Sequence, residues 1–592
     1  MNSWLISRFK KNLIEKEGFL SFPDENREFI LFCSQSQSLN KLSNGGWYIQ
    51  NGYWQLRDSL VSEYSELSNE QLIEYLLTNF SSDYPKMLKG IFTLVIYFNG
   101  RFQVLNDNLG LSSIYSTNEG DFFLSNSIRY LKDFGCIKNL NHKSYLSRQR
   151  FGRDLGGITP FETISRNIWG EHWELDFSVK RQLYFHPMSL FNEEKKEIPF
   201  HEFGSLLKRN LCEFEKRSGI IQNTVTLTGG KDARSALALL CSQKKDVVGL
   251  TYGRAESKDV IFAKKLSSFE GIDHLVVDGS NWNAQELLMI WDEIYSLDST
   301  IISHHRAIRY FALKELHALY GPCAVWTGYM GGEWLMGIYR DNLVFKDWLM
   351  DWVESGAGSQ SLSEQNMIES AEINEYFSFP SEWYESKKRR EFAVMCEIGI
   401  KHHQQDIEIA MQLGLSPQPF MLDVDWIEMI FKSQFSFVHQ DNQSKNLLKR
   451  WSLYELNVNL QAAFKPEWNN MVFGKKGNYT PNDFLRGRVI WSIKKCLNYL
   501  TDRIGYPPSF SYGYAWHSAT LELLDEMIED SRFTFFGVAE KKSFKVELCK
   551  FDWSRYSQER SYHPISQAIS LYLIFKRYIS ESNEKEGSTI EK

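Results

Sequence analysis

The sequence has no uninterrupted apolar run long enough to span a bilayer, and Met1–Lys11 lacks the apolar core of a secretory signal. These absences leave no membrane role to assign and point to a cytoplasmic location. Cysteine is sparse, eight residues in 592, and no two are spaced as Cys-x-x-Cys. Neither a zinc knuckle nor a disulfide framework is indicated, and a reducing compartment fits. Positive charge is not in excess either. The formal net charge is −7, so the attraction that would hold nucleic acid or an anionic membrane is missing, and neither is expected as a partner. His304-His305 and His402-His403 lack the His-x-x-x-His helical spacing of metalloproteases and read as structural or surface residues. Polar, apolar-poor sequence is confined to the end of the chain, and 581–592 reads as a disordered tail. Apolar residues, by contrast, make up 43% of the chain and aromatics 15%. Over this length they predict at least two packed domains.

The first third reads as β-rich. Glu28–Cys33, Gly90–Phe98, Arg101–Asn106, Ile114–Ser116 and Phe122–Ser125 are short apolar runs bounded by Gly, Asn and Asp. Asn99-Gly100, between two of them, is a hairpin signal. Near Tyr184–Pro199 two prolines and the charged run Glu193–Glu197 interrupt the apolar pattern and mark a boundary. Beyond it the pattern alternates strand and helix: Val247–Tyr252 as a buried strand, Val260–Ser267 with helical spacing, Leu275–Val277 as the next strand. Such alternation predicts a parallel doubly wound sheet with ligands at the carboxyl ends of its strands.

The strongest chemical signal is Thr226-Leu-Thr-Gly-Gly-Lys-Asp-Ala-Arg-Ser235, between a strand-like run and the helix-like Ala236–Leu240. Gly229 and Gly230 let the backbone turn tightly and bring its N–H groups close to an anion at the positive end of the helix. Asp232 sets a carboxylate beside that cradle, suited to Mg²⁺, which takes oxygen ligands and is shared with phosphates. The Gly-x-x-x-x-Gly-Lys-Ser/Thr spacing of a Walker loop is absent. A second glycine-rich turn, Thr327-Gly-Tyr-Met-Gly-Gly-Glu333, follows the strand-like Ala324–Trp326.

Thr228-Gly-Gly-Lys-Asp-Ala233 resembles the Ser-Gly-Gly-x-Asp-Ser signature of the asparagine synthetase-like family of adenylating amide synthetases, with Ala233 in place of the second serine. The second turn resembles the family's Ser-Gly-x-Gly-Gly-Asp-Glu loop once one inserted residue near Met330 is allowed. Leu88–Leu131 resembles the framework of its N-terminal glutaminase-type domain, and Gly414–Asp423 resembles its Gly-x-x-x-x-x-Pro-Phe-x-Asp segment. The resemblance implies an α/β chain: an Ntn-type α-β-β-α sandwich over 1–186, a linker over 187–199, and a pyrophosphate-loop parallel-sheet synthetase domain with a helical C-terminal part over 200–580. It implies ATP and Mg²⁺ as cofactors, with Leu227, Thr228, Gly229, Gly230, Asp232, Thr251, Tyr252, Gly253, Thr327 and Gly328 on the nucleotide and Asp232 and Glu333 on the metal. Tyr329 would orient or deprotonate an amine, as in β-lactam-forming relatives. Lys465, reached by the family's spacing from Ser444–Arg450, would neutralise charge at the α-phosphate, with Lys475 and Lys476 as rivals.

A glutaminase of this class attacks with an N-terminal cysteine exposed by loss of Met. Position two is Asn2. The sandwich is therefore expected to be an inactive glutaminase-like domain, and the nitrogen not to come from glutamine. The expected activity is adenylation of a carboxylate substrate, a peptide or amino-acid derivative, then transfer to an amine. Closure within one molecule, as in lasso-peptide or β-lactam synthetases, is one form, and a precursor-peptide processing partner would accompany it. The alternatives are an ammonia-using asparagine synthase and a catalytically degenerate nucleotide-binding protein.

Overall fold

The computed structural model describes residues 3–8, 19–23, 29–34, 39–118, 120–151, 153–228, 230–337, 377–439, 455–471, 480, 482, 513–550 and 564–580. Asn2, Gly229, Ser444–Arg450, Lys475, Lys476 and the tail 581–592 lie outside the described residues. Up to Phe185 the strands are β1 (Trp4–Arg8), β2 (Phe19–Pro23), β3 (Phe29–Ser34), β4 (Asn40–Lys41), β5 (Trp47–Leu56), β6 (Leu88–Phe98), β7 (Arg101–Asn106), β8 (Tyr115–Thr117), β9 (Phe123–Ser125), β10 (Ile164–Arg166), β11 (Gly170–Leu175) and β12 (Val179–Phe185). They form two antiparallel sheets, ordered β10-β8-β9-β1-β3-β2 and β12-β11-β7-β6-β5-β4. Side-chain alternation along the strands sets the layers. Trp4, Ile6, Leu31 and Cys33 of one sheet meet Ile49, Val95, Phe102 and Val104 of the other. The opposite residues Leu5, Ile30 and Phe32 turn to helix Ile128–Asp133, and Tyr48, Phe92, Leu94 and Ile96 turn to helix Asn69–Phe80. The β6–β7 hairpin turns at Asn99 (φ 50°) and Gly100 (φ 79°), the left-handed pair that a two-residue turn requires.

The second half is built on a parallel sheet of β13 (Asn223–Thr226), β14 (Val247–Tyr252), β15 (Asp273–Val277), β16 (Ala324–Trp326) and β17 (Ser416–Gln418). Its order is β15-β14-β13-β16-β17. The chain steps outward from β13 to β15, then crosses back to lay β16 on the other side of β13. That reversal opens a crevice at the carboxyl ends of β13 and β16. Helices Gly513–Glu529 and Pro564–Phe575, in sequence without a readable motif or close to the tail, bury Leu524, Met527, Ile569 and Tyr572 against helix Ala284–Tyr295. Among the described residues, no helix is long and apolar enough to cross a membrane.

The two parts are joined by buried charge. Lys89 of β6, 1% exposed, pairs with Asp423 at 3.0 Å and Asp425 at 2.7 Å, while Arg57 binds Asp425 and Glu428. Asp423 also caps helix Val424–Lys432. The stretch 187–199 is anchored at both ends, where Pro187–Leu190 forms a 3₁₀ turn and the Ile198 N–H donates to Gln434 Oε1 at 2.9 Å, while Glu193–Glu197 between them is exposed.

Candidate active site

β13 ends at Thr226, and the chain turns into helix Lys231–Ser242. Leu227, fully buried, still donates its N–H to Leu250 O at 2.7 Å. Thr228 Oγ1 accepts the Gly230 N–H at 3.0 Å and so shapes the turn. Gly230 is the N-cap and provides no side-chain cap, so the first-turn amides rely on another partner.

The turn after β16 closes on the same place. At Gly328 a Cβ would lie 2.5 Å from Asp232 Cβ and 2.7 Å from Ala233 N, and at Gly331 one would lie 2.8 Å from Asp232 Oδ1. Only bare backbone fits, so both glycine-rich turns converge on one carboxylate. The extra residue of the second turn, Met330, takes φ 65° and is 2% exposed. Its thioether presses on Gly399, where a Cβ would lie 2.9 Å from Met330 Cε. Gly399 lies in a π-helical turn, Met395–Ile400, which widens the helix at the point of contact. A left-handed non-glycine costs about 1–2 kcal/mol, and burying a methionine side chain offsets it by about 1.5–3 kcal/mol.

Glu333 stands in the first turn of helix Gly331–Met336. Burial and the Glu333 carboxylate together push Asp232 up to about 7, and burial raises Glu333 as well. Asn457 Nδ2 donates to Asp232 Oδ1 at 2.7 Å, while the buried Asn457 Oδ1 has no protein partner. A buried carboxylate whose proton is held on by a neighbouring one, beside an amide oxygen lacking a donor, is a donor set that a divalent cation would relieve. Mg²⁺ fits, taking its remaining ligands from phosphate and water. Among the described residues no group of three or more His, Cys, Asp and Glu converges, so the protein's share of the coordination is small.

A cavity beside this pair is lined by Thr226, Tyr252, Arg309, Thr327, Tyr329 and Asp406. The Thr327 hydroxyl is buried there without a protein partner. The Thr251 hydroxyl faces elsewhere: it donates to Leu227 O at 2.8 Å, with His274 Nε2 also 2.8 Å away, and ties β14 to the phosphate-side turn. Gly253, at φ 143°, donates its N–H to Val277 O.

Tyr329 donates its hydroxyl to Asp406 Oδ2 at 3.1 Å and stacks its ring on His403, centroids 4.1 Å apart and 10° from parallel. Arg309 meets the same oxygen at 2.5 Å, and Arg306 Nε lies 3.4 Å from Asp406 Oδ1. Against its burial, Arg306 and Arg309 hold Asp406 below the ordinary carboxylate range. Burial and the Asp406 charge hold the Tyr329 proton on well above the usual phenol range. In this arrangement the Tyr329 hydroxyl keeps its proton and serves as a hydrogen-bonding group rather than a base. Burial keeps His403 neutral down to about 3, and burial with Arg306 and Arg153 holds His402 well below the ordinary imidazole range. The other histidine pair is not at the surface. His304 and His305, 1% and 2% exposed, stack on Trp516.

The structure does not bring Lys465 to the cradle. Helix Glu455–Phe464 runs beside helix Lys231–Ser242, with Asn457 on Asp232 and Gln461 Nε2 on Lys231 O and Ser235 Oγ. Lys465 lies eight residues beyond Asn457, about 12 Å at the helical rise. There it pairs with Glu270 at 2.9 Å and Glu467 at 2.5 Å, with Trp468 Nε1 donating to the same Glu270. Asn457, Asp406 and Arg309 are the site residues that sequence reasoning missed. Asn457 and Gln461, polar and buried four residues apart on a mostly apolar helix, were the available signal.

No protein-family model and no curated protein matches this chain. Three solved structures that match are NMN synthetase from Francisella tularensis (15% identity, 35% of this chain and 97% of that one, TM-score 0.21), the allosteric regulatory enzyme of purine biosynthesis (12% identity, 46% and 59%, TM-score 0.20), and glutamine phosphoribosylpyrophosphate amidotransferase from B. subtilis complexed with ADP and GMP (9% identity, 55% and 75%, TM-score 0.20). Superpositions this loose carry no functional argument.

Proposed function

We propose that this chain is an ATP-dependent amide-forming ligase that adenylates a carboxylate and passes the acyl group to an amine. The observation that carries the reading is the closure of two glycine-rich turns, from adjacent parallel strands at the switch point of the sheet, on Asp232 opposite Glu333. Backbone amides of the first turn and Thr228 would bind the pyrophosphate end of ATP. Asp232 and Glu333 would hold Mg²⁺, which supplies charge neutralisation at the phosphates when bound. A carboxylate oxygen bonds to the α-phosphorus as pyrophosphate leaves, giving an acyl-adenylate. An amine nitrogen then bonds to the acyl carbon, the acyl C–O bond breaks, and the departing AMP phosphate oxygen takes the proton that the amine gives up. Tyr329, its proton held on Asp406, presents a phenol lone pair that accepts an amine N–H and orients it beside the cavity. The amine belongs to a substrate, either within the same molecule in a macrolactam or β-lactam-type closure or on a second one.

ATP–pyrophosphate exchange over a panel of amino acids, dicarboxylates and peptides tests this. Exchange elicited by at least one acid and lost in Asp232→Asn is expected. Measurable ATP binding with no exchange for any acid would overturn the ligase reading in favour of a nucleotide-binding protein without turnover.

A further inference from the structure

Arg153 belongs to the N-terminal part, yet its guanidinium ends within the synthetase site. It is 6% exposed. Its Nη1 donates to Ile398 O at 2.9 Å in the π-helical turn, and its Nη2 lies 2.8 Å from His402 Nδ1. A guanidinium only donates, and the shortest approach, Arg153 to Nδ1, favours a proton on Nε2. Arg306 Nη2 lies 3.3 Å from Nδ1 and 3.1 Å from Nε2 and donates to His402 O at 3.0 Å. His402 is therefore held neutral between two guanidiniums. The charged and titratable groups facing it are Arg153, Arg306 and Arg309 from neighbouring elements and His403 from its own helix, with Asp406 one turn on.

From His402 the contacts run to the chemistry. The rings of His402 and His403 are 5.4 Å apart at 75°, and His403 stacks on Tyr329. The helix that carries them, Lys401–Gln412, is gripped on its other face by the N-terminal part at a helical spacing. Lys401 Nζ donates to Leu109 O, Gly110 O and Ile168 O, Gln404 bonds Gly110 O and accepts from Arg166, and Glu408 accepts from Ser113. Positions 401 and 404 thus face the sandwich, 408 is shared between Ser113 of the sandwich and Ser299 of the second half, and 402, 403 and 406 face the site.

We propose that the sandwich acts as part of the synthetase site, with Arg153 as a positioning residue that fixes His402 in its Nε2–H form and, through His403, holds the Tyr329 ring for the acyl-transfer half-reaction. This rests on the ligase reading for its chemistry but not for its geometry, and the test separates the two. In the full chain, Arg153→Gln and Arg153→Lys are compared with the unaltered protein by ATP–pyrophosphate exchange and by hydroxamate formation with hydroxylamine as the amine probe. Histidine side-chain NMR, reading the ring-nitrogen shifts that distinguish the two neutral tautomers, is run in parallel, with the His402 signal assigned by its loss in His402→Gln. Expected in Arg153→Gln are exchange within about threefold, transfer reduced about tenfold or more, and His402 nitrogen shifts displaced from the single Nε2–H pattern of the unaltered protein. Arg153→Lys restores most of the transfer and that pattern. Equal loss of both half-reactions, or His402 nitrogen shifts unchanged by Arg153→Gln, overturns the proposal. Absence of exchange in the unaltered protein sinks the ligase reading instead, and the NMR measurement still decides the role of Arg153.

Discussion

Asp232→Asn should stabilise the ligand-free protein while abolishing its activity. Burial and Glu333 lift the Asp232 carboxyl from its ordinary 3.8 to about 7. A shift of this size corresponds to about 4 kcal/mol. Asp232 is only half-buried and borders the crevice, so solvent screening reduces the usable figure to about 2 kcal/mol. The folded protein binds this proton more tightly than the unfolded chain does. Its contribution is therefore intact below about pH 4, declines as pH rises, and is gone above about pH 7. Asparagine keeps the oxygen that accepts from Asn457 and carries no charge to repel Glu333. Without nucleotide at pH 8, the variant should melt about 2 °C higher, and the gap should shrink by more than half at pH 5. MgATP should raise the melting temperature of the unaltered protein by mass action and leave the variant unmoved. Pyrophosphate exchange should fall at least about a hundredfold. A variant less stable at pH 8, or a stability difference independent of pH, would refute the view that Asp232 and Glu333 form a repelling pair awaiting a cation.

Gly328→Ala inserts a methyl 2.5 Å from Asp232 Cβ against backbone that cannot yield; exchange should be lost with about 1–3 kcal/mol of stability, and a variant retaining both would show that the turns do not close on Asp232. Lys465→Ala should leave exchange within about threefold, because its ammonium is engaged by Glu270 and Glu467; loss of exchange with the fold intact would return the lysine to the reaction. Lys89→Met removes the cation shared by Asp423 and Asp425 in a seam where Lys89 is 1% exposed. Urea unfolding should report a loss of about 3–5 kcal/mol, and a loss under about 1 kcal/mol would mean that the seam is held by its other contacts.

Elements with a local signature were legible in the sequence. The β6–β7 hairpin announces itself through Asn99-Gly100, and the strand–glycine–helix order around Thr226–Ser235 places a phosphate-sized turn correctly at a strand's carboxyl end. The same dipeptide does not always turn: at Asn51-Gly52 strand β5 runs straight through, pairing Asn51 with Thr93 and Gly52 with Phe92. Gly52 is there because β6 comes so close that a Cβ would strike the Ile91 carbonyl. A glycine required by a neighbouring strand and one required by a turn look alike until the neighbour is in place.

The site divides along the same line. Asp232 and Glu333 could be paired from two motifs, because each motif fixes its own carboxylate relative to its own strand and the parallel order brings the strand ends together. Tyr329 could be singled out but not decided between orienting and deprotonating an amine, since its behaviour depends on Asp406, 77 residues away, and on two arginines that hold that carboxylate ionised. Lys465 shows the opposite failure. Spacing from an upstream helix counts residues, whereas reach depends on the direction in which the chain leaves that helix. Here helix Glu455–Phe464 runs away from the cradle, so each added residue carries the lysine further from the phosphates and toward Glu270. Had the helix run the other way, the same count would have delivered an ammonium to the crevice. Asn457, at the near end, is therefore the residue of this segment that meets Asp232, and it does so as a neutral donor where a second positive charge had been expected.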